Sequence, residues 1–123
     1  MSGNSLLLDT NTVLYLLAGD ETLANFLNGK FLFISVISEL ELLSFKKLTQ
    51  KEATTIKTFL SELKIENISE EIKTHTIKIR KSTNLKLPDA IIAATSISLN
   101  IPLVTSDKQI SSVEGLNVIL YEK

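Results

Sequence analysis

Ser5-Leu6-Leu7-Leu8-Asp9-Thr10-Asn11 decides how the rest of the chain is read. A short continuous apolar run is the mark of a strand buried on both faces, and such strands belong to parallel sheets covered by helices. The run stops on an aspartate. Two of the other three aspartates hold similar places: Asp89 heads Ile91-Ile92-Ala93-Ala94, and Asp107 follows Leu103-Val104. An ionised carboxylate beside buried strands is costly unless positive charge meets it. Few basic residues adjoin these positions, and the chain has no cysteine and a single histidine, His75. Acids in that setting suit hard divalent cations with oxygen ligands. They imply a metal-dependent phosphoryl-transfer or hydrolytic site.

Strands and helices alternate on either side of that opening. Thr10 or Asn11 can cap a helix through Leu14, Leu17 and Ala18, ended by Gly19. Asp20 can cap a second helix, Glu21 to Leu27, stopped by Asn28-Gly29. Phe31 to Ile34 reads as a strand, and Ser35 caps a helix carrying Val36, Leu40 and Leu43. Thr49-Gln50-Lys51-Glu52 is a capping box, followed by Ala53, Ile56, Phe59, Leu60 and Leu63 at helical spacing. A short strand is expected at Ile65 to Ile68, then a helix opened by Ser69 with Ile72, Thr76 and Ile79 inward. The most apolar helix runs from about Asp89 to Leu99, and strands follow at Pro102 to Val104 and Val118 to Leu120. This order predicts an α/β fold with a parallel sheet covered on both faces.

The 123 residues predict a single domain, 1–123, with no internal repeat or linker. The charged fraction is 22%, the hydrophobic fraction 44% and the formal net charge -1, so no basic nucleic-acid footprint marks the chain as a whole. A bound cation could still supply local positive charge. No run reaches the roughly 18 apolar residues of a membrane span, and the first stretch lacks the basic region of a signal peptide. The expectation is a soluble cytoplasmic protein with no membrane partner.

In open parallel sheets, ligands bind beyond the carboxyl ends of the strands. Asp9 and Asp107, distant in sequence, fall on that same rim. Asp89 begins a helix, with the small residues Ala93 and Ser96 sharing its face, which predicts room there for ions and a phosphate. Glu39 and Glu41 lie two residues apart on their helix, about 200° from each other. Only one can face the site, and periodicity does not choose between them.

Four segments match a known family in order and spacing. Leu6-Leu7-Leu8-Asp9-Thr10-Asn11 resembles the opening motif of PIN-domain ribonucleases. Ile34-Ser35 through Glu39-Leu40-Glu41-Leu42-Leu43 resembles their second motif, Lys86-Leu87-Pro88-Asp89-Ala90-Ile91-Ile92-Ala93-Ala94 the third, and Leu103-Val104-Thr105-Ser106-Asp107 the fourth. The length and the wording of the third motif resemble a VapC-type toxin of a type II toxin–antitoxin pair. The resemblance implies a three-layer α/β/α fold with a central, mainly parallel sheet. It implies that Asp9, Glu41, Asp89 and Asp107 bind magnesium or manganese and cleave RNA, with Glu41 rather than Glu39 on the family glutamate. Asn11, Ser35 and Thr105 fall on its supporting polar positions. It also implies an RNA substrate, a small antitoxin partner and a homodimer.

Plainer readings stand beside these. Asp9, Asp89 and Asp107 could each be a helix or turn acid, and Glu39 reads as solvated. His75 reads as a surface or helix-packing residue, and the lysines of the Ile72–Ile79 helix as a solvated face. Tyr15 and Phe45 read as core or interface. Val13, Leu14, Leu16, Leu17, Phe26 and Leu27 are expected to leave apolar surface for a dimer or an antitoxin. Asp9→Asn is expected to leave the fold intact or stabilised, by removing repulsion. Two alternatives to the nuclease are a catalytically inactive PIN-like binding module and a receiver-like phosphoacceptor domain, for which Lys108 beside Asp107 would be the expected lysine.

Overall fold

The computed structural model describes residues 4–122. Five strands form one sheet: β1 (Ser5–Leu8), β2 (Phe31–Ser35), β3 (Lys64–Glu66), β4 (Leu103–Thr105) and β5 (Val118–Leu120). They stand in the order β3-β2-β1-β4-β5, and every neighbouring pair is parallel. The helices are α1 (Thr10–Leu17), α2 (Glu21–Leu27), α3 (Val36–Leu43), α4 (Gln50–Leu60), α5 (Glu70–Ser82), α6 (Leu87–Leu99) and α7 (Lys108–Ser111). They cover both faces, so the fold is the expected three-layer α/β/α arrangement.

The apolar runs are continuous because each strand serves two cores. Leu7 and Leu103 pack with α5, α6 and α7, whereas Leu6, Leu8, Ile34 and Val104 point to the other face and pack with α1, α2 and α4. Successive strand residues alternate faces, so a strand covered on both sides has no polar position to give. Leu7, Leu8, Leu103 and Val104 have no exposed surface. Burial of a leucine-sized side chain stabilises by roughly 1.5–3 kcal/mol. Since all five strands run the same way, the residues after β1 and β4 lie on one rim of the sheet.

Some boundaries differ from the sequence expectation, each for a physical reason. The third strand is Lys64–Glu66, not Ile65 to Ile68, because its partner β2 ends at Ser35, which pairs with Glu66. Asp9, not Thr10 or Asn11, is the N-cap of α1, its side chain accepting from the backbone N–H of Thr12. The helix α6 begins at Leu87, two residues before Asp89, with Pro88 tolerated in its first turn. Gly19, at φ +92, ends α1 and lets the chain turn to Asp20, which caps α2 as expected. Val13 and Leu27 are core residues, so less of the first two helices is uncovered than the sequence suggests; Phe26 remains 45% exposed. Among the described residues, no helix is long and apolar enough to cross a membrane.

Candidate active site

Asp9 leaves the end of β1 and is a buried residue, 5% exposed. Donors answer both of its oxygens. Oδ1 accepts from Thr12 N at 2.9 Å and Thr12 Oγ1 at 2.6 Å, and Oδ2 accepts from Thr105 Oγ1 at the end of β4. Hydrogen bonds to a charged acceptor are the stronger kind, and these three tie β1, α1 and β4 together. Thr105 Oγ1 in turn accepts from the backbone N–H of Asp107 at 3.0 Å. Asp107 caps the short helix α7, with Oδ1 accepting from Gln109 N at 2.8 Å. That cap was the structural alternative for Asp107, and it holds alongside the residue's place on the rim.

Glu41 comes from α3. Thr10 Oγ1 lies 2.7 Å from Glu41 Oε1 and 2.9 Å from Ser38 Oγ. With one proton to give, Thr10 serves the carboxylate, and the Ser38 hydroxyl can donate to Thr10. Asp89, in the first turn of α6, is the exception, since no hydrogen bond reaches it among the described residues. Burial pushes its carboxyl above the ordinary range, and the charges of Asp107, Glu41 and Asp9 push the same way, with Lys86 opposing them.

These four acids line one cavity of about 300 Å³, together with Thr10, Asn11, Leu14, Phe45 and Ile110. Among the described residues, no basic side chain is in its wall. A larger hollow of about 650 Å³ around Lys30, Phe31 and Phe59 gathers no such group of acids. Lys108, next to Asp107, pairs with Glu122 at 3.6 Å and stands outside the cavity wall. Of the two glutamates that periodicity left open, the path of α3 brings Glu41 to the cavity and keeps Glu39 away from its wall.

The expected supporting residues divide. Thr105 holds Asp9. Asn11 is exposed on the cavity wall and bonds to none of the acids. Ser35 is buried, and its hydroxyl caps its own helix by accepting from Ile37 N at 3.1 Å. Thr10, Thr12 and Ser38 do supporting work that the sequence reading missed. The available signal was spacing: Thr12 is three residues past a capping aspartate, and Ser38 is one helical turn before Glu41. The expected room beside Ala93 and Ser96 is not there. Ala93 is in the core, and Ser96 Oγ donates to Ile101 O at 2.5 Å. Only the first turn of α6 reaches the rim, and its small residues serve close packing on the sheet.

The PIN domain family model matches residues 6–116, nearly the whole of the fold just described. The chain belongs to the PIN-domain family. Its fold is close to that of a solved toxin–antitoxin complex from Klebsiella pneumoniae, at 31% identity and a TM-score of 0.81, covering 96% of this chain and 99% of that one. It is also close to VapBC2 from Rickettsia felis bound to a promoter DNA fragment, at 23% identity, a TM-score of 0.85 and coverage of 96% and 99%. DNA-bound VapBC from Salmonella typhimurium follows at 21% identity and a TM-score of 0.80, covering 94% and 96%. At the last two identities the likeness is one of fold. A comparison with curated proteins returned no match. The strand order of this PIN domain also differs from the 2-1-3-4-5 order of receiver-type sheets. The phosphoacceptor alternative therefore fails on topology.

Proposed function

We propose that this PIN domain is a metal-dependent endoribonuclease and the toxin of a type II toxin–antitoxin pair. One observation carries the chemistry: four carboxylates from separate elements meet at one cavity with, among the described residues, no basic side chain in its wall. The raised proton affinity of Asp89, caused first by burial and then by the charges of Asp107, Glu41 and Asp9, supports one shared site. The toxin role is supported by the relative from Klebsiella pneumoniae, whose structure is a toxin–antitoxin complex. A small antitoxin is the partner, and RNA is the substrate that the family resemblance implies. The exposed Phe26 and Leu120, which border one apolar hollow, support a homodimer.

The residues fit a magnesium or manganese ion. The donors are all oxygen, the choice of hard cations. Asp9, Glu41 and Asp107 each keep an oxygen with accepting capacity beyond the bonds described, and Asp89 keeps both. Among the described residues, no three such groups stand close enough to grip one bare ion. That spacing suits magnesium, which keeps several waters and takes one or two carboxylates. When bound, such cations place positive charge on a phosphate and lower the pKa of a coordinated water. The chain's own part is to hold the donors. Thr12 and Thr105 fix Asp9, α7 orients Asp107, Thr10 steadies Glu41, and Asp89 stands ready for a proton or a cation.

Purified protein with manganese should cut a structured RNA, and chelation should stop it. Cutting that persists in chelator would contradict the mechanism. A folded protein that neither binds manganese nor cuts RNA would instead be the inactive binding module.

A further inference from the structure

We infer that Phe45 is the platform on which a nucleobase beside the reacting phosphate stacks. The inference rests on the nuclease reading of the acidic cavity and adds what that reading leaves open: how the enzyme holds the nucleotide around the phosphate. Phe45 follows α3 in the connection to α4, is 51% exposed, and is, among the described residues, the one aromatic side chain in the wall of the acidic cavity. The sequence reading placed it in a core or an interface; its exposure removes the core. It also walls the adjoining hollow of about 410 Å³, with Leu14, Leu48 and Ile56.

A phosphate drawn to the cavity carries its sugars and bases with it. The acids repel the flanking phosphates and offer a base no flat surface. The ring does, and base–aromatic stacking tolerates any sequence. Lys46 and Lys47 follow directly, both exposed and without an ion pair among the described residues. They are placed to offset the repulsion on the flanking phosphates. A stacked base must first leave its own helix, so the substrate is an unpaired stretch such as a loop, a bulge or a single strand.

The chain has no tryptophan, so Phe45→Trp makes the site its own reporter. The probes are a short labelled single-stranded RNA and a strand of equal length and charge that lacks bases, both used with calcium in place of manganese, so that a hard cation still draws the phosphate while the strands stay uncut. The base-bearing strand should quench the Phe45→Trp emission, and the base-free strand should not. Phe45→Leu, apolar but without a ring, should bind the RNA about 5- to 150-fold more weakly, the worth of one base–aromatic stack, and bind the base-free strand as the wild type does. Matching unfolding midpoints keep these comparisons valid. Equal quenching by both strands, or unchanged RNA affinity in Phe45→Leu, overturns the inference. So does a Phe45→Leu that loses only its antitoxin, which would assign the ring to a protein interface. Wild-type cleavage with manganese is scored separately. If the wild type cuts and Phe45→Leu binds RNA unchanged, only this inference falls. If the wild type does not cut and Phe45→Trp still reports stacking, the ring's role stands and the nuclease reading falls.

Discussion

On the sheet side of the acidic cavity, Asp9 accepts hydrogen bonds on both carboxylate oxygens, from Thr12 and Thr105. On the helix side, Asp89 receives none among the described residues, and burial and its neighbours' charges raise its proton affinity. The same residue type is thus treated in opposite ways in the wall of one cavity. Donors compensate the charge of Asp9, which is how an aspartate can be 5% exposed at a strand end. The charge of Asp89 meets no hydrogen-bond donor among the described residues, only the opposing field of Lys86. One wall is fixed by the fold; the other holds the negative charge that only a proton or a cation can answer.

The largest effects should come from the fixed wall. In Asp9→Asn, an amide donor replaces an oxygen that accepts a proton, so the Thr105 hydroxyl must reverse or lose its partner, and the bonds of the Thr12–Thr105 network lose their charged acceptor. Cleavage should fall by more than about 100-fold, beyond the roughly 10- to 100-fold typical of outer partners of a metal site. Unfolding in urea should show a loss of about 1–3 kcal/mol. The hydrogen bonds on both Asp9 oxygens argue for a loss, whereas the sequence-based expectation is a fold left intact or stabilised, so the sign of the change decides between them. An unchanged or higher stability would mean that repulsion dominates both walls alike.

Glu41→Gln should lower cleavage by about 100-fold, whereas Glu39→Gln should stay within about twofold, since only Glu41 is in the cavity wall. Comparable losses in steady-state assays would place Glu39 at the site as well. Thr105→Val removes a donor to Asp9 while keeping shape. It should weaken manganese binding by calorimetry about 10- to 100-fold. An unaltered affinity would show that the network serves folding alone.

The smallest effect is the stability of Asp89→Asn. Asp89 holds its proton more tightly in the fold than in the unfolded chain. Its stabilising contribution is therefore full below its ordinary pKa of 3.8 and is lost as pH rises through the raised value. At neutral pH the ionised carboxylate works against the fold, and Asp89→Asn should be more stable than the wild type. The gain should be below about 1 kcal/mol, because the group is partly open to solvent. Urea midpoints near neutrality and near pH 4 should converge as the wild-type carboxyl takes its proton. A gain that persists unchanged at low pH would point to a cause other than charge.

Where one element sufficed, the sequence was legible. The apolar runs of β1 and β4 read as doubly covered strands because nothing polar interrupts them, and the acids at their ends fell on one rim because the sheet is parallel. Features set by a distant partner were not legible. The end of β3 is fixed by where β2 stops at Ser35, not by its own apolar residues. The choice between Glu39 and Glu41 depends on the path of α3 across the rim. The four-residue α7 is too short for helical periodicity, and only Asp107 as a possible cap hinted at it. Ser96 shared a face with Asp89 on paper, yet that face turns into the core within two turns.

If the acids around Asp89 seat a divalent cation, manganese at neutral pH must change the thermal unfolding of the protein. A ligand bound to the folded state alone raises the midpoint by mass action. Manganese should raise the midpoint of the wild type and of Glu39→Gln alike, and the rise should be lost in Asp89→Asn and Glu41→Gln. A wild-type midpoint indifferent to saturating manganese, or a rise that survives in both Asp89→Asn and Glu41→Gln, would contradict the account.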